Sequence, residues 1–362
     1  MAIFLYKEKF AIKNPVFYTL IVEKKVKYRG LFILISTNDI KRYEENNQDL
    51  LVETEEVLRD VRKNGKVFDW RGKKIKNRYY AEILDILHFK KANNVKDCAD
   101  ELVFKVTDEG FLRLHQVWFC KSKLCPLCNW RRSLKMSYQN EEIISEAIKQ
   151  QPNARFLFLT LTVKSVYDGK ELDKTLKEMT NGFRKLMQYK AVSKNLIGYM
   201  RATEVTINDT DNSFHPHFHV MLMVKSSYFA GSNNYLSQDD WTKFWKKAMK
   251  LDYTPVVHIQ AVKGVKKSIL ETSKYPVKDS EYLTNDLERD SFVVDNLETG
   301  LHRKRQIGYG LLFKDIRKKL QLDDIEDGDL RMVGADEEET SEAAQIIYAK
   351  WNNTRKNYFI KR

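Results

Sequence analysis

The stretch that most restricts what this chain can fold into is His215-Pro-His-Phe-His-Val-Met-Leu-Met-Val224. A continuous apolar run following a polar loop predicts a buried β-strand. Side chains alternate along a strand, so His217 and His219 share one face and Phe218 takes the other. The chain has only seven histidines, three of them here, and an apolar core has no need of any. Two imidazoles on one face of a rigid strand form half of a metal site. The plain alternative is a pair of satisfied histidines at a strand mouth. His215 shares that face but precedes Pro216 in the loop, which makes it the weaker ligand candidate.

A third ligand is sought on the neighbouring strand. Residues 197–207 also read as a strand, separated from the first by the turn-rich segment Asn208-Asp-Thr-Asp-Asn-Ser213. A hairpin closing symmetrically about Asp211 and Asn212 sets Glu204 opposite His219, within reach of a shared ion. A one-residue slip turns Glu204 away and leaves it an ordinary strand carboxylate. Two imidazoles and a carboxylate suit Mg²⁺ or Mn²⁺ acting on a phosphate oxygen, although Zn²⁺ also binds such a set.

Downstream lies Glu271-Thr-Ser-Lys-Tyr275-Pro-Val-Lys278. On one helix face, the i, i+4 and i+7 positions gather Glu271, Tyr275 and Lys278. A tyrosine hydroxyl can attack a phosphodiester and retain the product covalently. Glu271 then suits activation of a second nucleophile, and Lys278 suits neutralisation of phosphate charge. Pro276 disfavours helical geometry at Tyr275, and taken alone the pattern describes an ordinary helix face.

Cys120, Cys125 and Cys128 form a C-x4-C-x2-C array, with Cys98 upstream. Four thiolates in two groups predict a closed structural Zn²⁺ site, with His115 competing with Cys98 as fourth ligand. Free thiols are the alternative. Arg131, Arg132 and Lys135 follow directly and are expected to form a basic surface braced by the zinc and facing DNA phosphate, or else a solvated helix face.

The net charge is +13, and residues 323–342 hold ten carboxylates against one arginine, so the rest of the chain is more basic still. That balance favours a polyanionic partner. No secretory signal and no bilayer-length apolar run are visible, so a cytoplasmic protein without membrane association is expected. The segments predict an α+β fold with a mainly antiparallel sheet. Strands are expected over 155–163, 197–207, 216–224 and 255–262, and helices over 171–190, 237–251 and from 265 to about 275. Residues 46–66 are polar and helical in pattern, and Trp70 to Arg78 is a basic stretch. The expected domains are 1–90 of unassigned role, 91–150 zinc-braced and DNA-binding, 151–290 with the histidines and tyrosine that suit cleavage of a phosphodiester and retention of its product, and 291–362 with the acidic segment.

Together these pieces resemble the replication initiators of rolling-circle plasmids, in the HUH endonuclease superfamily with a single tyrosine. Phe158-Leu-Thr-Leu-Thr-Val163, Arg201-Ala-Thr-Glu-Val-Thr206, His215-Pro-His-Phe-His219 and Glu271 to Lys278 occur in the family's order. Cys120 to Arg132 resembles the branch carried by small plasmids of Gram-positive bacteria, and Gly308-Tyr-Gly310 and Asp323 to Asp329 also look familial. The likeness runs from about residue 90 to 330. It implies a central antiparallel sheet flanked by helices, with the histidines on the sheet and the tyrosine on an adjacent helix. It further implies metal ligation by His217 and His219, with Glu204 third. Tyr275 matches the nicking residue, Glu271 the carboxylate that ends a replication round, and Lys278 a phosphate- or metal-positioning lysine. No Gly-x-x-x-x-Gly-Lys-Ser/Thr motif is present, so strand separation falls to a host helicase, with a host polymerase extending the primer. The oligomeric state is left open, a dimer among the options. The rivals are a transposase or relaxase of the same chemistry, a non-catalytic zinc-braced DNA-binding regulator, and a metallohydrolase of small phosphoesters.

Overall fold

The structure is a computed structural model, which describes residues 24–28, 31–35, 56–63, 65–231, 234–273, 276–334 and 343–361. The chain divides into two compact units, residues 1–55 and residues 56–362. In the first, β1 (Lys24–Tyr28) and β2 (Leu31–Ile35) pair as an antiparallel hairpin.

The second unit begins with α1 (Trp70–Ile86), α2 (Ala92–Lys96), β3 (Glu101–Val106), β4 (Leu112–Val117) and α3 (Pro126–Gln150). Then come β5 (Arg155–Thr162), α4 (Gly169–Gln188), α5 (Lys190–Ser193), β6 (Leu196–Ile207), β7 (Phe214–Val224), α6 (Gln238–Met249) and β8 (Val257–Ala261). The remainder is α7 (Val265–Thr272), α8 (Asp279–Tyr282), α9 (Leu287–Gly300), β9 (Ile307–Leu311), α10 (Leu312–Lys319), β10 (Ile346–Asn352) and β11 (Asn357–Lys361). These form a four-stranded sheet in the order β11-β10-β3-β4 and a five-stranded sheet in the order β8-β5-β7-β6-β9, with every pair antiparallel. The expected α+β class with antiparallel sheets is what the protein adopts.

Helices cover both faces of the five-stranded sheet, and strand alternation decides which residue meets which layer. Leu157, Leu159, Leu161, Phe218, Val220 and Leu222 lie in the larger core with Leu176, Met179 and Phe183 of α4 and Trp241 and Trp245 of α6. Phe156, Met200, Met221 and Met223 meet Ile143 and Ile144 of α3, Ile269 of α7 and Phe313 of α10. The strand β7 is paired on both sides, by β5 and β6, so its backbone is held along its whole length. Helix α6 starts with a capping box of Ser237 and Asp240, which satisfies two otherwise orphaned amides.

Two local expectations are corrected. From residue 56 onward the segment expected to be helical is extended: Val57 bridges Phe359 and Val61 bridges Val67. Residues 46–55 lie outside the described residues. β-branched valines that find strand partners override a weak helical pattern. Helix α7 ends at Thr272, so Lys278, just before α8, does not continue its face. Pro276 supplies the reason, since it disfavours helical geometry one residue earlier and has no amide to donate.

The Trp70 to Arg78 stretch forms most of α1, and its lysines are engaged. Lys74 is buried and donates to the carbonyls of Lys96 and Cys98. Lys73 and Lys76 donate to Asp279 at 2.7 and 2.9 Å, clamping α1 to the start of α8. Burial raises the Asp279 carboxyl, but the hydrogen bonds and charge of the two lysines outweigh it and hold it below the usual carboxylate range. Because the folded value is depressed, its stabilisation is full above the ordinary carboxylate value of about 4 and is lost as pH falls through the folded value. Urea titrations at pH 7 and pH 3 should therefore show Asp279→Asn less stable than wild type at neutral pH, with the gap closing in acid.

Candidate metal centres and the tyrosine segment

Glu204 lies opposite His217 on the β6–β7 ladder, and Ala202 lies opposite His219. The expected partner was His219, two residues away. An even shift keeps the same face, so Glu204 still reaches both rings. The turn sets the register: Asn208 accepts from the amide of Thr210, Asp211 accepts from that of Ser213, and Asn212 has φ of +55°.

One carboxylate oxygen, Oε2 of Glu204, lies 2.8 Å from Nε2 of His219 and 3.3 Å from Nε2 of His217. Nδ1 of His217 is 3.2 Å from the carbonyl of His215, to which only an N–H can donate, so its Nε2 carries the lone pair in the neutral ring. Nδ1 of His219 is held by Thr160 Oγ1 at 3.3 Å, and the ring stacks on Phe158. Burial raises the Glu204 carboxyl, yet hydrogen bonds and charge from the two imidazoles in their protonated form dominate and hold it well below the carboxylate range. With both rings neutral, the two Nε2 atoms and the Glu204 carboxylate lie close enough together to hold a cation between them. His215 stands aside from this set, its Nδ1 beside Ser165 Oγ at 3.4 Å. Thr160 was not singled out in the sequence, although strand period places it on the histidine side of the sheet.

Tyr275 lies outside the described residues, and of Glu271 only its backbone position in α7 is described. The residues on either side are anchored. Upstream, Ser273 receives a hydrogen bond from Asn140 and its carbonyl one from Ser133, both on α3. Downstream, the Pro276 carbonyl accepts from the amide of Val205 at 2.7 Å, one residue beyond Glu204. Glu281 accepts from the amide of Ile207 at 3.1 Å. So the chain after position 275 runs along the edge of the strand that carries Glu204. Lys278 is half exposed, its ammonium 3.4 Å from Glu281.

The four cysteines come together between α1, α3 and the start of β3. Their sulfurs lie 3.6 Å (Cys98 to Cys128), 3.7 Å (Cys120 to Cys128) and 3.7 Å (Cys125 to Cys98) apart. A disulfide needs about 2 Å. A tetrahedron with metal–sulfur bonds of about 2.3 Å has edges of about 3.8 Å, which these separations match. Asn77 donates to Cys125 Sγ and the amide of Cys120 to Cys98 Sγ, both at 3.4 Å, as outer partners that orient the ligands. Burial pushes the Cys98 and Cys128 thiols up, a penalty that a bound dication offsets. The set can hold Zn²⁺. His115 is exposed on β4 and outside the cluster, so Cys98 is the fourth member.

The family profile described as "Replication protein" matches residues 111–359. A "Protein rep" of Lactiplantibacillus plantarum is 50% identical over 315 residues, covering 84% of this chain and 99% of that relative. The chain belongs to the replication protein family. A "Protein rep" of Streptococcus pneumoniae serotype 2 is 48% identical over 314 residues, covering 85% of this chain and 96% of its own. A "Replication protein" of Staphylococcus aureus is 52% identical over 235 residues, 63% of this chain and 100% of its own. No solved structure matches. The resemblance to plasmid replication initiators is thus borne out at the level of family.

In this replication protein, Arg131, Arg132 and Lys135 do not form the expected exposed basic surface. All three are buried on α3. Arg131 donates to the carbonyls of Leu330 and Arg331. Arg132 donates to those of Lys121, Ser122 and Glu326. Lys135 binds the Asp323 carboxylate and the Asp329 carbonyl. The part of the acidic segment described here, through Gly334, therefore docks on this helix. Buried cations with carbonyl and carboxylate partners satisfy each other, and desolvated cations would otherwise be very costly. Among the described residues no helix is long and apolar enough to cross a membrane.

Arg132→Met should lower unfolding free energy by about 2–4 kcal/mol in urea titrations, because the buried Glu326 carbonyl and the partly buried carbonyls of Lys121 and Ser122 lose their donor. Purified protein should carry about one zinc per chain by mass spectrometry. Cys128→Ser should abolish that content and lower the melting temperature.

Proposed function

We propose that this protein initiates rolling-circle replication of a plasmid by nicking one strand of origin DNA and holding its 5′ end on Tyr275. The observation that carries the reading is the convergence of Glu204, His217 and His219 on a strand whose edge binds the chain beginning at Pro276. The five-stranded antiparallel sheet, with its histidines on the central strand, supports an HUH endonuclease arrangement, which is part of the same proposal.

In the proposed reaction, the Tyr275 hydroxyl oxygen attacks the scissile phosphorus. The bond from phosphorus to the 3′ oxygen breaks, and that oxygen takes up a proton as the tyrosine loses its own. The products are a 5′-phosphotyrosyl link and a free 3′ hydroxyl that primes synthesis. Lys278 neutralises charge on the non-bridging phosphate oxygens. At the end of a round, Glu271 takes a proton from water as it attacks the scissile phosphorus of the regenerated origin, and the bond to the 3′ oxygen breaks as that oxygen takes up a proton. The 3′ hydroxyl so released attacks the phosphotyrosyl phosphorus, the bond to the tyrosine oxygen breaks, and that oxygen takes up the hydroxyl proton, which returns Tyr275. Glu204, His217 and His219 are the residues that would hold Mg²⁺ or Mn²⁺, and the chemistry such an ion supplies is withdrawal of charge from the scissile phosphate. Thr160 and the His215 carbonyl keep both rings turned toward Glu204, so the site is preorganised.

The proposed domain roles are a zinc-braced region over 91–150 that supports DNA contact and a strand-transferase over 151–290. The proposed partners are origin DNA, a host helicase and a host polymerase, and the proposed setting is the cytoplasm.

The deciding experiment is cleavage of single-stranded oligonucleotides spanning candidate plasmid origins, with Mn²⁺ or with EDTA. Wild type should nick and become covalently attached to the 5′ end, and Tyr275→Phe should lose both by at least about a thousandfold. His217→Ala should lose nicking while still binding DNA. Nicking by Tyr275→Phe without an adduct would replace the tyrosine by an activated water.

A further inference from the structure

Strand alternation turns Arg201 to the sheet face opposite Glu204, three positions away on β6. Its side chain is buried, with only 8% exposure. The guanidinium lies over the Phe218 ring at 4.4 Å, and Nη1 donates to Thr180 Oγ1 of α4 at 3.2 Å. That hydroxyl is itself fixed, donating to the Leu176 carbonyl at 2.9 Å. Arg201 forms an ion pair with no carboxylate among the described residues. Burial lowers it to about 10, so it remains a cation at neutral pH. Glu326 acts on it only through space, and a buried cation with no carboxylate in contact is costly, which favours a site that binds something anionic.

The space in front of it fits that role. Arg201 lines a cavity of 380 Å³ bounded also by Lys177, Thr203, Arg303, Lys304 and Arg305, and no carboxylate lines it. Arg201 is paired in the ladder with Gly308 of β9, where a Cβ would lie 3.5 Å from its Nη2. A bare backbone therefore leaves the guanidinium open to the cavity. Lys304 and Arg305 reach carboxylates outside it, Asp173 and Asp324 respectively. The cavity shares Thr203, Lys304 and Arg305 with a second one that reaches Pro276, Lys121 and Lys123. Glu326 and Asp327 also line that second cavity, so the path from the residue after Tyr275, over the β9 side of β6, becomes purely cationic only where it reaches Lys304, Arg305 and Arg201. Four strand steps separate Arg201 from Val205, whose amide binds the Pro276 carbonyl, about 13 Å at strand rise.

We infer that Arg201, with Thr180 beside it, is a phosphate seat for single-stranded DNA lying within a few nucleotides of the nick. The inference rests on the proposed nicking role of the Tyr275 segment for its place along the strand, but its test does not. Arg201 acts here by gripping a phosphodiester away from the reacting bond, and the fork of N–H donors not used by Thr180 supplies the contacts.

The test is equilibrium binding of a fluorescein-labelled 16-nucleotide oligothymidylate to the full-length protein, by anisotropy, from 50 to 300 mM NaCl. Loss of one phosphate contact lowers the slope of log affinity against log salt by about 0.7 for a single strand. Arg201→Gln should show that smaller slope and bind about tenfold more weakly, equal to roughly 1.4 kcal/mol. Arg201→Lys should recover the slope, which a merely structural role would not require. Asn181→Glu, at an exposed cavity-lining position on α4, places a carboxylate before Arg201 and leaves the core untouched. It should reproduce the reduced slope, and it decides the matter should Arg201→Gln fail to fold. Salt slopes equal to wild type in the folded variants would overturn the inference. A changed slope with no covalent adduct on origin DNA would remove the nicking mechanism and leave the phosphate seat standing.

Discussion

The ladder between β6 and β7 is the interaction on which the rest depends. It joins Glu204 to His217 in register and runs from Leu196 opposite Val224 to Ile207 opposite Phe214. Because β7 is also paired with β5, neither His217 nor His219 can move without breaking backbone hydrogen bonds on two sides. Position along that ladder selects chemistry. Even positions of β6 turn Met200, Ala202 and Glu204 toward the imidazoles, whereas odd positions turn Tyr199, Arg201 and Thr203 toward α4. A carboxylate and a guanidinium three residues apart are thereby kept on opposite faces, where they cannot neutralise each other.

Outside the sheet, polar contacts of unusual depth hold the protein together. Helix α3 is the common brace. Its first turn contributes Cys125 and Cys128, its middle buries Arg131, Arg132 and Lys135, and Ser133 and Asn140 reach the chain before position 274. The acidic turn from Asp323 to Asp329 serves as counter-charge to this helix. Gly328 is required there, since a Cβ would lie 2.1 Å from the Asp324 carbonyl. Acid in this part of the sequence is thus structural ballast for buried cations, and the chain's surplus of positive charge is left to other surfaces.

Much of the site was legible beforehand because its signals are local. Period two on a strand places His217 and His219 together whatever surrounds them, and C-x4-C-x2-C brings three thiols close along one turn and the start of a helix. The hairpin turn was legible as a turn, but its register was not, because side-chain capping by Asn208 and Asp211 shifts the pairing by two. Arg131, Arg132 and Lys135 were misread for a similar reason. A cationic helix face looks solvated in sequence, and burial depended on an acidic turn nearly two hundred residues away.

By itself the sequence determined the chemical inventory: a paired-imidazole strand, four thiols with metal-ligand spacing, a tyrosine followed by proline, and membership of a replication protein family. Only the tertiary structure decided which carboxylate meets the imidazoles, that Cys98 and not His115 completes the thiol set, and that the chain from Pro276 lies along β6. It alone decided which cations are hidden and which, like Arg201, face a cavity. The physical reason is one of range. Alternation and short spacing are fixed by backbone geometry over a few residues, whereas partnership between charges is fixed by packing, which brings together residues that the sequence keeps far apart.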